Sequence, residues 1–315
     1  MKEYTSGEVA EILGVTKNTL YAWLKEDKKM PQPDTSRDKK GTRYFTQDQV
    51  DQVVRLRGKH IRKVVAVVNQ KGGVLKTTTV QTLGHCLADR GQKVLLVDTD
   101  PQASLTAAFG LNPDKLQYTL YDLLTNKNLT TDDTIKQTEY ENLSIIPSGI
   151  DLATIDLKLS SEIGREKKLF NRLKNITADF NWIIIDCPPN FSLMTISALI
   201  AADMALIPVE CEYFSIKGLQ QLINTLDMVK ENAEHSFELK MLPTKVDGRT
   251  NMGEQVIDHL KKFFGPYLLK SKIRTDAKVT QAQAENKPIS VAFPQSRAAV
   301  DYRNLTIELL RMYNK

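Results

Sequence analysis

Lys63 to Asn69, KVVAVVN, is a valine-rich run that feeds directly into Gln70-Lys71-Gly72-Gly73-Val74-Leu75-Lys76-Thr77-Thr78-Thr79. Val80, Leu83 and Leu87 then recur at helical intervals, so the chain reads as strand, glycine-rich loop, helix. Such a loop aims backbone N–H groups and a helix N-terminus at phosphate oxygens. A lysine there neutralises the outer phosphates, and the hydroxyl beside it ligates Mg²⁺. By this logic Gly72, Gly73, Val74, Leu75, Lys76, Thr77 and Thr78 wrap a nucleotide, with Lys76 the phosphate lysine and Thr77 the metal ligand.

Two further apolar runs end in carboxylates: Lys93 to Val97 leads into Asp98-Thr99-Asp100-Pro101-Gln102, and Trp182 to Ile185 into Asp186-Cys187-Pro188-Pro189. If these strands lie parallel to the first, their carboxyl ends meet at the sheet edge where an open α/β fold binds its ligand. Asp186 is then placed to hold Mg²⁺ through water, and Asp100 to orient an attacking water. Asp98 is expected to be structural. A single Asp at a strand end is ordinarily a cap or turn former; it is the three elements in this order that carry the functional reading.

A chain of 315 residues with 41% hydrophobic content accommodates one large domain and a small one. The longest apolar runs fall far short of the roughly 20 residues needed to span a bilayer, and the opening MKEYTSGEVAEI carries charges where a signal peptide is apolar. A cytoplasmic location is expected. Cys86, Cys187 and Cys211 lack CxxC spacing, which argues against a disulfide framework, a zinc site or an Fe–S cluster.

The net charge of +5 is unevenly spread: residues 1 to 63 hold 14 Lys+Arg against 9 Asp+Glu, and the remainder is balanced at 29 of each. The basic excess points to an anionic partner for the N-terminal segment, nucleic acid first, with a solvated surface as the alternative. Thr5-Ser6-Gly7-Glu8 has capping-box spacing ahead of Val9, Ile12 and Leu13, with Gly14 as a helix stop. Thr16 caps a second helix that turns Leu20, Trp23 and Leu24 inward and leaves Lys17, Asn18 and Tyr21 outside. A polar stretch with Pro31, Pro33 and Gly41 precedes Thr42-Arg43-Tyr44-Phe45, then Thr46 and Gln49 at capping-box spacing before Val50, Val53, Val54 and Leu56.

Over about 55 residues this resembles the winged helix-turn-helix domain of the MerR family, which pairs a Tyr-Thr/Ser-x-Gly-Glu-Val-Ala opening with a later Gly-x-Arg-x-Tyr/Phe-Thr element. In that reading Lys17, Asn18 and Thr19 enter the major groove, while Arg37, Lys39, Lys40 and Arg43 contact phosphates from the wing. The alternative is a three-helix docking module with a solvated basic face. The run Arg55, Arg57, Lys59, His60, Arg62, Lys63 either contacts phosphate or forms a solvated hinge between domains 1–60 and 61–315.

Residues 63 to 312 resemble the ParA/MinD group of deviant Walker ATPases, and more closely its ParA branch. The signals are Lys-Gly-Gly-Val-x-Lys-Thr-Thr with its extra Lys71, Val-Asp-x-Asp-Pro-Gln at 97 to 102 and Ile-Ile-Asp-Cys-Pro-Pro at 184 to 189. The resemblance implies a parallel-sheet phosphate-loop ATPase that uses ATP and Mg²⁺. It implies a nucleotide-sandwich homodimer in which Lys71 acts catalytically on the partner's phosphates alongside Lys76 and Asp100, and Thr77 and Asp186 serve the metal. It further implies nonspecific double-stranded DNA binding through positions matching Arg249 and Lys278, with Arg274 nearby, the alternative for each being a merely solvated basic residue; it also implies nucleoid association and a ParB-like centromere-binding partner that triggers hydrolysis. A winged domain ahead of the ATPase is similar to the larger ParA type, which also represses its own operon by binding operator DNA.

One departure stands out: the family has Gly before the loop lysine, and here that position is Leu75. A glycine permits positive φ and close phosphate approach, so leucine there strains or crowds the loop by about 1–3 kcal/mol. A working or slowed ATPase is expected, because the surrounding residues keep the pattern. The competing reading is a transcriptional regulator whose nucleotide site is a sensor. A MinD-like membrane positioner is a third, disfavoured because Val300 to Tyr313 reads as a last helix packed on the domain rather than a basic amphipathic tail.

Overall fold

Thr5 and Glu8 close the expected capping box: Glu8 N donates to Thr5 Oγ1 and Thr5 N to Glu8 Oε2. This starts α1 (Ser6–Ile12), and Thr16 Oγ1 accepts from Thr19 N at the start of α2 (Lys17–Glu26). The computed structural model describes residues 3–13, 15–26, 30–33, 44–46, 49–50, 52–53, 62–211, 216–247 and 251–313. Two short strands that the sequence pattern does not separate, β1 (Glu3–Thr5) and β2 (Tyr44–Thr46), pair antiparallel through Tyr4 and Phe45. Thr46 and Gln49 exchange backbone–side-chain hydrogen bonds as a second capping box. Val9, Leu13, Leu20, Leu24, Phe45, Val50 and Val53 form one small core, with Trp23 half-buried against it. The expected helix stop at Gly14 and the helix positions Val54 and Leu56 lie outside the described residues.

The valine-rich run becomes β3 (Lys63–Val67), followed by β4 (Val94–Asp98), β5 (Lys136–Gln137), β6 (Leu143–Ile146), β7 (Trp182–Asp186), β8 (Met204–Glu210) and β9 (Glu238–Thr244). Their order is β5-β6-β4-β7-β3-β8-β9, parallel throughout except at β5–β6. Helices cover both faces, which is why the strands read as continuous apolar runs rather than alternating ones. Val65, Val67, Leu96 and Ile184 face one core, packed by α3 (Lys76–Ala88) and the closing helix Arg297–Tyr313. That closing helix buries Tyr302, Leu305, Leu309 and Leu310, as the sequence pattern requires. Ala66, Leu95, Val97, Ile183 and Ile185 face the other core with α4 (Leu193–Ala201) and α5 (Ile216–Ala233).

Register brings the site together. β7 lies between β3 and β4, so Asp186 is level with Val67 on one side and with Asp98 on the other. The phosphate loop therefore leaves the sheet beside two strand-end carboxylates. All three cysteines are free and buried.

Candidate active site

Asn69 anchors the start of the loop: its Nδ2 donates to Pro208 O at 2.7 Å and its Oδ1 accepts from Lys71 N at 2.9 Å. Gly73 has φ +73°, and a Cβ added at Gly72 or Gly73 would meet nothing within 4 Å. That open space above the loop is what a phosphate cradle needs. Leu75 sits at φ 72°, ψ 30°, the left-handed region, and is half-buried against the core that α3 covers. The chain thus keeps the backbone a glycine would favour, at the steric cost of a Cβ.

Lys76 opens α3, is only 8% exposed and reaches Lys71 O at 3.3 Å. Burial lowers its pKa, opposed by the charge of Asp186 and Asp100. A desolvated ammonium at a helix N-terminus gains strongly from an anion placed against it.

Asp186 is 1% exposed, and both its carboxylate oxygens are buried without a hydrogen-bond partner among the described residues. Burial raises its pKa well above the carboxylate range and the charge of Asp98 adds to this; the Thr77 hydroxyl lies near enough to oppose it without a hydrogen bond of ordinary geometry. Among the described residues no group of three or more His, Cys, Asp or Glu is arranged to hold a metal ion by itself. One unpaired carboxylate and one hydroxyl beside an open phosphate cradle are the donor set suited to Mg²⁺, which completes its shell with water and phosphate oxygens. Asp98 instead ties the chain to itself. Its Oδ2 accepts from Thr106 N and Oγ1 at 2.8 and 2.7 Å, and its Oδ1 from Asp100 N at 3.1 Å. Burial raises its pKa, against these bonds. Its structural role is as expected. Asp100 accepts from Gln102 N through Oδ1 and lines the cleft.

The cleft, ≈ 590 Å³, joins Gly72, Gly73, Leu75, Lys76, Thr77, Thr78 and Asp100 to a second wall formed by Arg274 to Ala277 and α6 (Lys278–Ala284). Gln283 of α6 donates to Thr78 Oγ1 at 2.8 Å. Arg274 forks onto Asp301 through Nε and Nη2, the latter at 2.7 Å. Lys278 is exposed, reaches Gln281 Oε1 at 2.8 Å and lies over the Phe293 ring at 4.6 Å. Lys71 turns to Glu210 at the end of β8, and Lys245 Nζ takes the other oxygen at 2.8 Å. Burial would raise the Glu210 carboxyl, but hydrogen bonds from Lys245 and Lys71 outweigh it and hold it low.

At the other candidate site Lys17 and Asn18 are exposed and Thr19 half-buried at the start of α2. Arg37, Lys39, Lys40, Arg43 and Arg249, and the basic run from Arg55 to His60, lie outside the described residues. Sequence reading missed Glu210, Lys245 and Gln283. Glu210 had a usable signal: like Asp98 and Asp186, it is a carboxylate ending a buried strand. The other two had none.

The family described as an AAA domain matches residues 62–239, and the MerR HTH family of regulatory proteins matches residues 4–58. The sporulation initiation inhibitor protein Soj of Bacillus subtilis is 41% identical over 248 residues, covering 78% of this chain and 98% of Soj. The chromosome partitioning protein ParA of Myxococcus xanthus is 32% identical over 80% of this chain and 89% of its own length. Among solved structures, cobyrinic acid a,c-diamide synthase from Mycobacterium smegmatis, with bound ADP and magnesium, is 32% identical, with TM-score 0.71 over 80% of this chain and 96% of that one. The Pyrococcus furiosus cell division ATPase MinD is 26% identical, with TM-score 0.65 over 79% and 99%.

Proposed function

Because the chain belongs to the ParA/Soj family of phosphate-loop ATPases, we propose that it hydrolyses ATP with Mg²⁺ and uses the nucleotide to control its grip on DNA during plasmid or chromosome partitioning. The observation that carries the reading is the buried, unpartnered Asp186 carboxylate beside Thr77 at the mouth of an open glycine loop. Buried charge without a partner is costly, and an Mg²⁺ held by Thr77 and, through water, by Asp186 would relieve it. Mg²⁺ supplies charge neutralisation for the phosphates. The N–H groups of the loop from Gly72 to Thr78, and the Lys76 ammonium, bind the phosphates, and Asp100 orients the attacking water.

Two protomers face each other across the nucleotides, and each Lys71 leaves Glu210 to reach the other's phosphates. Arg249, Arg274 and Lys278 hold nonspecific double-stranded DNA in that dimer, which places the protein on the nucleoid in the cytoplasm; a ParB-like centromere-binding protein stimulates hydrolysis and release. No helix among the described residues is long and apolar enough to cross a membrane. Residues 1–60 form a separate operator-binding domain and residues 61–315 the ATPase.

The test is ATP hydrolysis with and without nonspecific duplex DNA, with Lys76→Ala as background. DNA-stimulated turnover above that background is expected. Turnover equal to it would remove the motor reading and favour a nucleotide-sensing regulator of transcription. The exposed Lys17 and Asn18 at the start of α2 favour an operator-binding role in either case. Footprinting upstream of the chain's own gene should show protection that disappears when residues 1–60 are deleted.

A further inference from the structure

Gln283 and Thr78 are 205 residues apart in the chain and meet across the cleft, where Gln283 Nε2 donates to Thr78 Oγ1 at 2.8 Å. Thr78 stands in the first turn of α3 beside Lys76, is 5% exposed, and lines the same cleft as Gly72 and Gly73. Gln283 is exposed on α6, so it contributes little to either core.

The polarity of this bond matters. A hydroxyl carries one hydrogen and two acceptor sites. Because the amide of Gln283 donates, Thr78 Oγ1 is the acceptor and its own O–H remains available for donation. Thr78 occupies the helix end where the loop N–H groups and Lys76 converge, so the group best placed to receive that O–H is a phosphate oxygen in the cleft. A hydrogen bond to a charged acceptor contributes more than a neutral one. We infer that Gln283 is a positioning residue that directs the Thr78 hydroxyl toward a bound nucleotide phosphate. It rests on the nucleotide reading above.

α6 also begins with Lys278, one of the residues proposed to contact DNA. Phosphate occupancy and the position of that helix are thus joined by one side-chain bond. An oxygen at the Gln283 amide position would reverse the polarity: a carboxylate accepts, draws the Thr78 O–H away from the cleft and adds a negative charge near the phosphates.

The test is a double-mutant cycle on the full chain, read as calorimetric affinity for a non-hydrolysable ATP analogue with Mg²⁺. Gln283→Leu should weaken binding about tenfold in the wild-type background, the loss expected for one charge-assisted hydrogen bond. In a Thr78→Val background, where no hydroxyl remains to be directed, the same change should cost less than about twofold. Gln283→Glu, at an exposed position where folding is not at stake, should weaken binding more than Gln283→Leu. Equal losses from Gln283→Leu in both backgrounds, no loss in the wild type, or Gln283→Glu binding as well as the wild type would each overturn the positioning role while leaving the nucleotide site intact. A wild-type chain that binds no nucleotide would remove the site reading itself and Gln283's role with it.

Discussion

Lys71 and Glu210 form an ion pair across 139 residues of chain, and Lys245 shares the same carboxylate. Lys71 is thereby held on its own protomer, whereas the proposed dimer needs it on the other. Its side chain is 45% exposed, so the pair is partly screened and contributes about 0.2–1 kcal/mol. Glu210→Gln should leave thermal stability nearly unchanged. It should also tighten ATP-dependent dimerisation by up to about fivefold for each Lys71 released, about 30-fold for the dimer in which both leave Glu210. Sedimentation with a non-hydrolysable ATP analogue checks this; weaker dimerisation would mean that Glu210 supports Lys71 in the dimer as well.

Leu75 carries a Cβ at φ 72°. Left-handed backbone costs a non-glycine residue about 1–2 kcal/mol, while glycine gives back about 0.5–1 kcal/mol through the freedom of the unfolded chain. Comparing Leu75→Gly with Leu75→Ala cancels the lost side-chain packing, since neither keeps it. Leu75→Gly should be the more stable of the two by up to about 1.5 kcal/mol in urea unfolding. Because Leu75 also lines the cleft, Leu75→Gly should raise ATP turnover above the wild type. Unchanged turnover would show that the loop tolerates the side chain.

Asp186 gives a pH dependence whose sign is fixed by its environment. Burial, and then the charge of Asp98, raise its folded pKa above the unfolded value. A carboxyl shifted this way favours the fold below the unfolded value of about 3.9, and the benefit is lost as pH rises through the folded value. Metal-free protein should therefore lose stability from about pH 4 upward through this group. Asp186→Asn should remove that slope and raise the melting temperature of metal-free protein near neutral pH. It should also lower ATP hydrolysis by about 10²-fold or more, the loss typical of one preorganised electrostatic group. A variant less stable than the wild type at neutral pH would show that Asp186 is better satisfied than its unpartnered oxygens indicate.

What the sequence makes legible follows the range of the interactions. The loop can be read because strand, glycines, lysine and threonine are consecutive, and the two strand-end carboxylates because each terminates an apolar run. The parallel order that puts β7 between β3 and β4 is set by pairings between residues as distant as Lys63 and Trp182 or Val94 and Trp182, and no local pattern encodes it. For the same reason β6, only four residues long, goes unread although every residue in it is buried. Gln283 and Lys245 are ordinary polar residues until the fold carries them to Thr78 and Glu210. Leu75 is the reverse case: local sequence marks it as unusual, and its backbone angle shows the cost being carried rather than avoided.

Arg274 and Lys278 share one segment and one expected role, yet their surroundings predict different phenotypes. Arg274 donates to Asp301 from its backbone N and from its guanidinium, and Asp301 is only 6% exposed. Arg274→Ala leaves that carboxylate buried with the backbone N–H as its remaining donor from this residue, so unfolding free energy should drop by about 1–3 kcal/mol. Any loss of DNA binding in that variant is then confounded with loss of fold. Among the described residues the Lys278 ammonium meets Gln281 and the Phe293 ring, worth about 0.5–1 kcal/mol at an exposed site, while its backbone N donates to Asp276, a bond that alanine keeps. Lys278→Ala should keep the wild-type melting temperature to within a few degrees. If Lys278 meets a phosphate in the ATP-bound state, the logarithmic slope of DNA affinity against salt should fall by about 1 for each protomer bound. An unchanged slope in a stable Lys278→Ala protein would take this residue out of the DNA surface.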